Sequence, residues 1–267
     1  MRIWYQSLVE DDPTSTYFAG LANRARVIAR PGTEVRFAGM PPGTYNGRTP
    51  ADVVVYPYLM ALHHHSILDN AYRAEREGYD VFVLGSVQDP AIEEARSLLN
   101  IPVVGYGESA MLVACMLGRK FAVVLFQHGM DEIMDMRIEK LGLASRALST
   151  SLVNVTFGNV TQALDTPAVL VAQFEAAARH AITHGADAII PGQLYLSEAV
   201  ARAGLQRIDE VPIVDGLTTT LKCAEMMHDL HALGIAVSRH GAANARPTDE
   251  MIEHARQFHR RGEPRGN

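Results

Sequence analysis

The sequence predicts an α/β protein of two pseudo-symmetric, doubly wound lobes, with mainly parallel sheets and an active-site cleft between the lobes. Three observations carry this. Short apolar blocks that do not alternate, such as VFVLG and AIIPG, recur between helical stretches, as parallel strands buried on both faces do. The chain also repeats itself: RAEREGYDVFVLGS (73–86) and HAITHGADAIIPGQ (180–193) share Ala, Gly, Asp, an apolar block and Gly at matching spacing. Each is then followed by a Pro-led echo, LNIPVVGYGES (99–109) and DEVPIVDGLTT (209–219).

Taken in order, strands are predicted at RIWYQS (2–7), TEVRFAGM (33–40), the apolar block before Ser86, PVVG, FAVVLF (121–126), the block before Gln193, PIV and GIAVS (234–238). SRALST (145–150) is a weaker candidate. Helices fill the intervals, for example PAVLVAQFEAAARHAITHG (167–185) and LTTTLKCAEMMHDLHALG (217–234). The Gly of each Gly-x-Asp turn supplies the left-handed geometry that ends a helix. GIAVS is expected to return to the first sheet. The first lobe is then 1–103 plus 225–267, and the second is 104–224.

The 267 residues suit two such lobes. With 48% hydrophobic and 20% charged residues the composition is that of a globular protein. A net charge of −6 and no basic stripe argue against a nucleic-acid partner. The tail RQFHRRGEPRGN reads as a solvated terminus. No apolar run approaches the roughly 18 residues of a membrane span, and MRIWYQSLVEDD lacks a signal-peptide core. A cytoplasmic homo-oligomer is expected. Cys115 and Cys223 lie in helix-like stretches and read as small core residues.

Open parallel sheets bind ligands beyond the carboxyl ends of their strands. Those ends deliver Gln6 and Ser7; Ser86 and Asp89; Glu108 and Ser109; Gln127 and His128; Gln193 and Tyr195; Asp215, Thr218 and Thr219; and Arg239 and His240. Several have structural readings too. Asp89 suits an N-cap for PAIEEAR, Glu108, Ser109 and Thr218 can serve helix starts, and Asp215 can cap. LHHHS (62–66) places three histidines about 100° apart on a helix, so they cannot share one metal; one of them, His64, is expected to face the cleft. The candidate acid–base groups are His128, His240, His64, Glu108 and Asp89. The candidate binding groups are Gln6, Ser7, Ser86, Ser109, Gln127, Gln193, Tyr195, Thr218 and Thr219. With no phosphate loop and no zinc-type spacing, no cofactor and no metal are expected.

The segments AEREGYDVFVLGSVQDPAIEEARSLLNIPVVGYGESAMLVACMLGRKFAVV and GADAIIPGQLYLSEAVARAGLQRIDEVPIVDGLTTTLKCAE resemble the two halves of the aspartate/glutamate/hydantoin racemase superfamily, near its hydantoin racemase branch. The first seventy residues match less well: IWYQS stands where the family has an Asn-Pro-Asn-Thr type loop. The resemblance implies two catalytic cysteines, one at a strand end in each lobe, exchanging a proton on opposite faces of a carbon. Those positions align with Ser86 and Gln193. A hydroxyl and an amide cannot replace tuned thiols. The resemblance therefore implies a small carboxylate or cyclic imide as substrate, handled by cysteine-independent acid–base chemistry of isomerase, lyase or hydrolase type. A racemase with a histidine–carboxylate proton pair, or a silent metabolite-binding relative, are the alternatives.

Overall fold

The computed structural model describes residues 1–12, 14–153 and 167–261. The first half runs β1 (Arg2–Glu10), α1 (Thr16–Ile28), β2 (Glu34–Met40), α2 (Pro57–Arg76), β3 (Val81–Leu84), α3 (Ile92–Leu98), β4 (Val103–Gly105) and α4 (Tyr106–Leu117). The second half runs β5 (Phe121–Leu125), α5 (Met130–Lys140), β6 (Ser151–Leu152), α6 (Ala168–Thr183), β7 (Ala188–Pro191), α7 (Leu194–Arg202), the short antiparallel pair β8 (Arg207–Ile208) and β9 (Val211–Pro212), and α8 (Gly216–Ala232). A last helix, α9 (Asp249–Arg261), follows.

Two parallel sheets result, ordered β2-β1-β3-β4 and β6-β5-β7. Ile213 bridges Ile189 in parallel, in the place that β4 holds in the first sheet. The order is therefore the same in both lobes. The aspartate of each repeated Gly-x-Asp turn does the same work. Asp80 accepts the Arg2 backbone N–H at 2.6 Å, so it fixes the start of β1; Asp187 accepts those of Arg119 and Lys120 at 2.9 and 3.0 Å, so it fixes the start of β5.

Every side chain of β3 and β7 is buried, as their unbroken apolar blocks require. Each Val, Leu, Ile or Phe among them contributes about 1.5–3 kcal/mol by leaving water. α4 and α8 pack on each other between the sheets, and Tyr106 fills the space beside Gly216, where a β-carbon would strike its ring. Helix α9 lies against α2 through Tyr72–Glu253 (2.7 Å) and Arg256–Asp69 (2.6 Å).

Two expectations fail here. GIAVS is not a strand: 235–240 carry no regular structure, and Ile235 is exposed. The segment lies beside the start of β4, with Arg239 donating to the Arg96 and Leu99 carbonyls. A five-residue apolar block does not by itself find a sheet edge. The tail from Arg256 to Arg261 is helical, its residues continuing α9, while 262–267 lie outside the described residues.

Candidate active site

Two glycines prepare the site, one in each lobe. Gly85 follows β3 so tightly that a β-carbon there would strike Tyr5 and the Gln6 carbonyl; Gly192 follows β7 and would strike Leu125 and Val123. The next residues are Ser86 and Gln193. Both line one cavity of about 80 Å³, together with Ser7, Tyr17, Gln127 and Tyr195. Leu8, Val54 and Met130 supply apolar wall. That volume suits a few waters or one small molecule.

Gln193 stands at the cap position before α7. Its Oε1 accepts the Phe126 N–H at 3.2 Å, which turns Nε2 the other way; that nitrogen is buried and meets no acceptor. Tyr17 and Tyr195 stack with ring centroids 4.2 Å apart and planes at 19°. Burial raises both phenol pKa values well above their ordinary range, so both rings stay neutral. Tyr17 also shares a hydrogen bond with Ser7.

A strap over residues 50–56 roofs the cavity through Pro50, Ala51 and Val54. One glutamine from each lobe fastens it: Gln127 Nε2 donates to the Ala51 carbonyl at 2.5 Å and Gln88 Nε2 to the Val54 carbonyl at 3.3 Å.

The other sequence candidates lie elsewhere. His240 is exposed near the start of β4, at the opposite end of the sheet from the cavity, because its expected strand does not form. His64 lines a neighbouring cavity, and burial lowers its pKa against the opposing pull of Glu94 and Glu93. His63 packs edge-on to Tyr45. His128 is exposed in the loop between two cavity residues, Gln127 and Met130. Glu108 is bound by Arg96 at 2.5 Å. Ser109 is buried and hydrogen-bonded to the Cys223 thiol, whose pKa burial raises. Thr218 donates its N–H to the Asp215 cap at 2.8 Å, and Thr219 bonds back to the Asp215 carbonyl at 2.6 Å. Gln6 is tied to Trp4, Asn70 and Gly39 inside the first lobe.

Asp89 caps a helix, but not the expected one. Asp89 and Ala91 both take left-handed backbone (φ 48° and 59°), which turns the carboxylate away from α3. It accepts the Gly107 and Glu108 N–H groups of α4 at 2.8 and 2.7 Å, with Arg137 at 3.2 Å. Burial pushes its pKa up to about 7 against the pull of Arg137 and the two amides. Sequence reasoning missed Arg137 and Tyr17. The signal for Arg137 was its place on the apolar stripe Met130, Met134, Ile138 of α5, where a cation needs a partner.

The site lies between two like-ordered parallel sheets, at strand ends that carry Ser86 and Gln193. The family model for Asp/Glu/Hydantoin racemase matches residues 14–224, and the chain belongs to that family of enzymes. A hydantoin racemase of Pseudomonas sp. (strain NS671) is 25% identical over 224 residues, covering 84% of this chain and 85% of that one. The solved allantoin racemase from Klebsiella pneumoniae matches with a TM-score of 0.75 at 25% identity, over 93% of this chain and 94% of that one. For the allantoin racemase from Pseudomonas fluorescens the values are 0.72 and 25%, over 92% and 97%. Among the described residues no group of three or more His, Cys, Asp or Glu is placed to hold a metal ion.

Proposed function

We propose that this enzyme binds a small carboxylate or cyclic imide between its lobes and transforms it without a thiol. Ser86 and Gln193 hold the substrate oxygens, and His128 moves the proton. The observation that carries this is the buried Gln193 Nε2, a donor without an acceptor in the cavity that also holds Ser86. An unmet buried donor costs about 1–3 kcal/mol, which a ligand oxygen would remove. The backbone N–H groups at the start of α7 add a partial positive charge suited to an oxyanion. Cys115 and Cys223, both half-buried on α4 and α8, are not among the cavity's lining residues. His128 is assigned because it alone of the three candidate histidines is flanked by cavity residues.

The test is a calorimetric panel of hydantoin, allantoin, small mono- and dicarboxylates, and phosphorylated and cationic controls, followed by proton NMR of each binder with the protein in D₂O. Support is binding that Gln193→Leu weakens and an α-proton exchange or product formation that His128→Asn slows. Binding of phosphorylated or cationic compounds alone overturns the substrate class. Turnover unchanged in His128→Asn overturns the proton assignment, and binding with no chemistry points to the silent relative.

A further inference from the structure

A second cavity, of about 400 Å³, opens on the other side of Val54, between α2, α3 and α5. Gln88 separates it from the smaller one, its amide lying 3.3 Å from the Val54 carbonyl and 2.9 Å from Met130 Sδ. Its walls are largely apolar and include Met60, Ile133 and Met136. Its buried polar members are Asp89 and Arg137, which pair with each other, and the Arg137 side chain is 7% exposed. The two terminal nitrogens of that guanidinium are engaged, by Asp89 at 3.2 Å and Glu93 at 3.1 Å. The remaining donor, Nε–H, is buried and has no acceptor.

The charges around this donor select its partner. Three carboxylates, Asp89, Glu93 and Glu94, face two cations, Arg137 and Lys140, and His64 is kept neutral by burial. An added anion would find no free cation among these groups, because Arg137 pairs with Asp89 and Glu93, and Lys140 with Glu93. A cation gains little, because Glu94 is exposed and solvated, and a surface ion pair is worth at most about 1 kcal/mol. The buried unmet donor outweighs that, and an uncharged acceptor satisfies it without adding charge.

We propose that this cavity is a second ligand site, for a small uncharged molecule with an apolar body and a carbonyl oxygen that accepts from Arg137 Nε. It is distinct from the Ser86–Gln193 cavity and, unlike it, is not expected to take a carboxylate. Because α2 and α3 belong to the first lobe and α5 to the second, an occupant touches both.

The probes are benzamide, benzoate and benzylamine, which share one apolar body and differ in charge. Each is titrated by protein-observed NMR into the wild type, Met136→Trp and Gln193→Leu. Met136 is largely exposed, so the tryptophan can fill the cavity mouth without disturbing the core. The expected result is benzamide binding in the millimolar range, typical of so small a ligand. It should weaken at least about tenfold in Met136→Trp and remain in Gln193→Leu, with benzoate and benzylamine about tenfold weaker. Absence of benzamide binding to the folded protein overturns the site. So does binding lost in Gln193→Leu and kept in Met136→Trp, since that places it in the other cavity. Benzoate or benzylamine binding as tightly as benzamide overturns the ligand class. None of these outcomes depends on whether the Ser86–Gln193 reading holds.

Discussion

The two lobes start their interface helices differently. In the first, α4 begins under a carboxyl group: Asp89 reaches over from the β3–α3 loop, takes two N–H groups and pairs with the buried Arg137. In the second, α8 begins under a hydroxyl from the first turn of α7. Ser197 Oγ accepts the Gly216 N–H at 3.1 Å, while the carboxylate, Asp215, comes from the residue just before the helix and is partly exposed. The same helix start is thus met once by a remote buried carboxyl group and once by a remote buried hydroxyl together with a local, partly exposed carboxylate. The difference extends to the cavity, where one lobe presents a hydroxyl, Ser86, and the other an amide, Gln193. A duplicated fold keeps its strand order and its Gly-x-Asp clamps, while the groups at the strand ends diverge.

The largest expected effect comes from removing the buried ion. Asp89→Ala leaves two amides uncapped and Arg137 short of a partner, and should cost about 3–5 kcal/mol in urea unfolding. If it costs no more than the hydroxyl cap, the contrast between the lobes is wrong. The pH dependence tests what burial costs the ionised form of Asp89. The pKa of Asp89 is about 7 in the folded chain, above its unfolded value near 3.8. Between those values the folded state holds a proton that the unfolded state has released. This contribution to stability is therefore complete below the unfolded pKa and is lost as pH rises through about 7. Asp89→Asn should flatten stability against pH across that window, measured by thermal unfolding from acid to neutral pH.

Smaller effects follow in the second lobe. Gln193→Leu should weaken binding of the substrate-class ligand about tenfold, the value of one buried hydrogen bond, with little change in melting temperature. Ser197→Ala should cost about 1 kcal/mol, as other hydroxyl caps do. Smallest of all, Cys115→Ala with Cys223→Ala should leave turnover within about tenfold, since neither thiol lines the cavity. A larger fall in a folded double variant would restore a thiol mechanism.

The repeat was legible because burial on both faces of a parallel strand forces unbroken apolar blocks, and VFVL and AIIP show them. The Gly-x-Asp turns were legible for a similar reason, as each glycine ends a helix (φ 77° at Gly78, 96° at Gly185). GIAVS misled because a short apolar block also suits a segment laid along a groove, and His240 moved with it. Asp89 misled differently. Its neighbours in sequence form a good N-cap signature, but two left-handed residues aim it at a helix that starts seventeen positions later. Ser86 and Gln193 were found from position in the repeat. Tyr17, which completes the cavity, lies on α1 and has no counterpart in the repeated segments.

Arg24 on α1 reaches across to the second lobe, bonding Glu198 at 2.7 Å and Asp215 at 2.8 Å. Glu198 is fully buried and has Arg202 as its other cation. During synthesis Arg24 leaves the ribosome long before either partner, which stand 174 and 191 positions later. The charge that the second lobe needs to close is therefore waiting in the first when Glu198 emerges. The reverse does not hold. A second half expressed alone would have to bury Glu198 without Arg24, so a cut between the sheets separates the two symmetric halves without making two proteins.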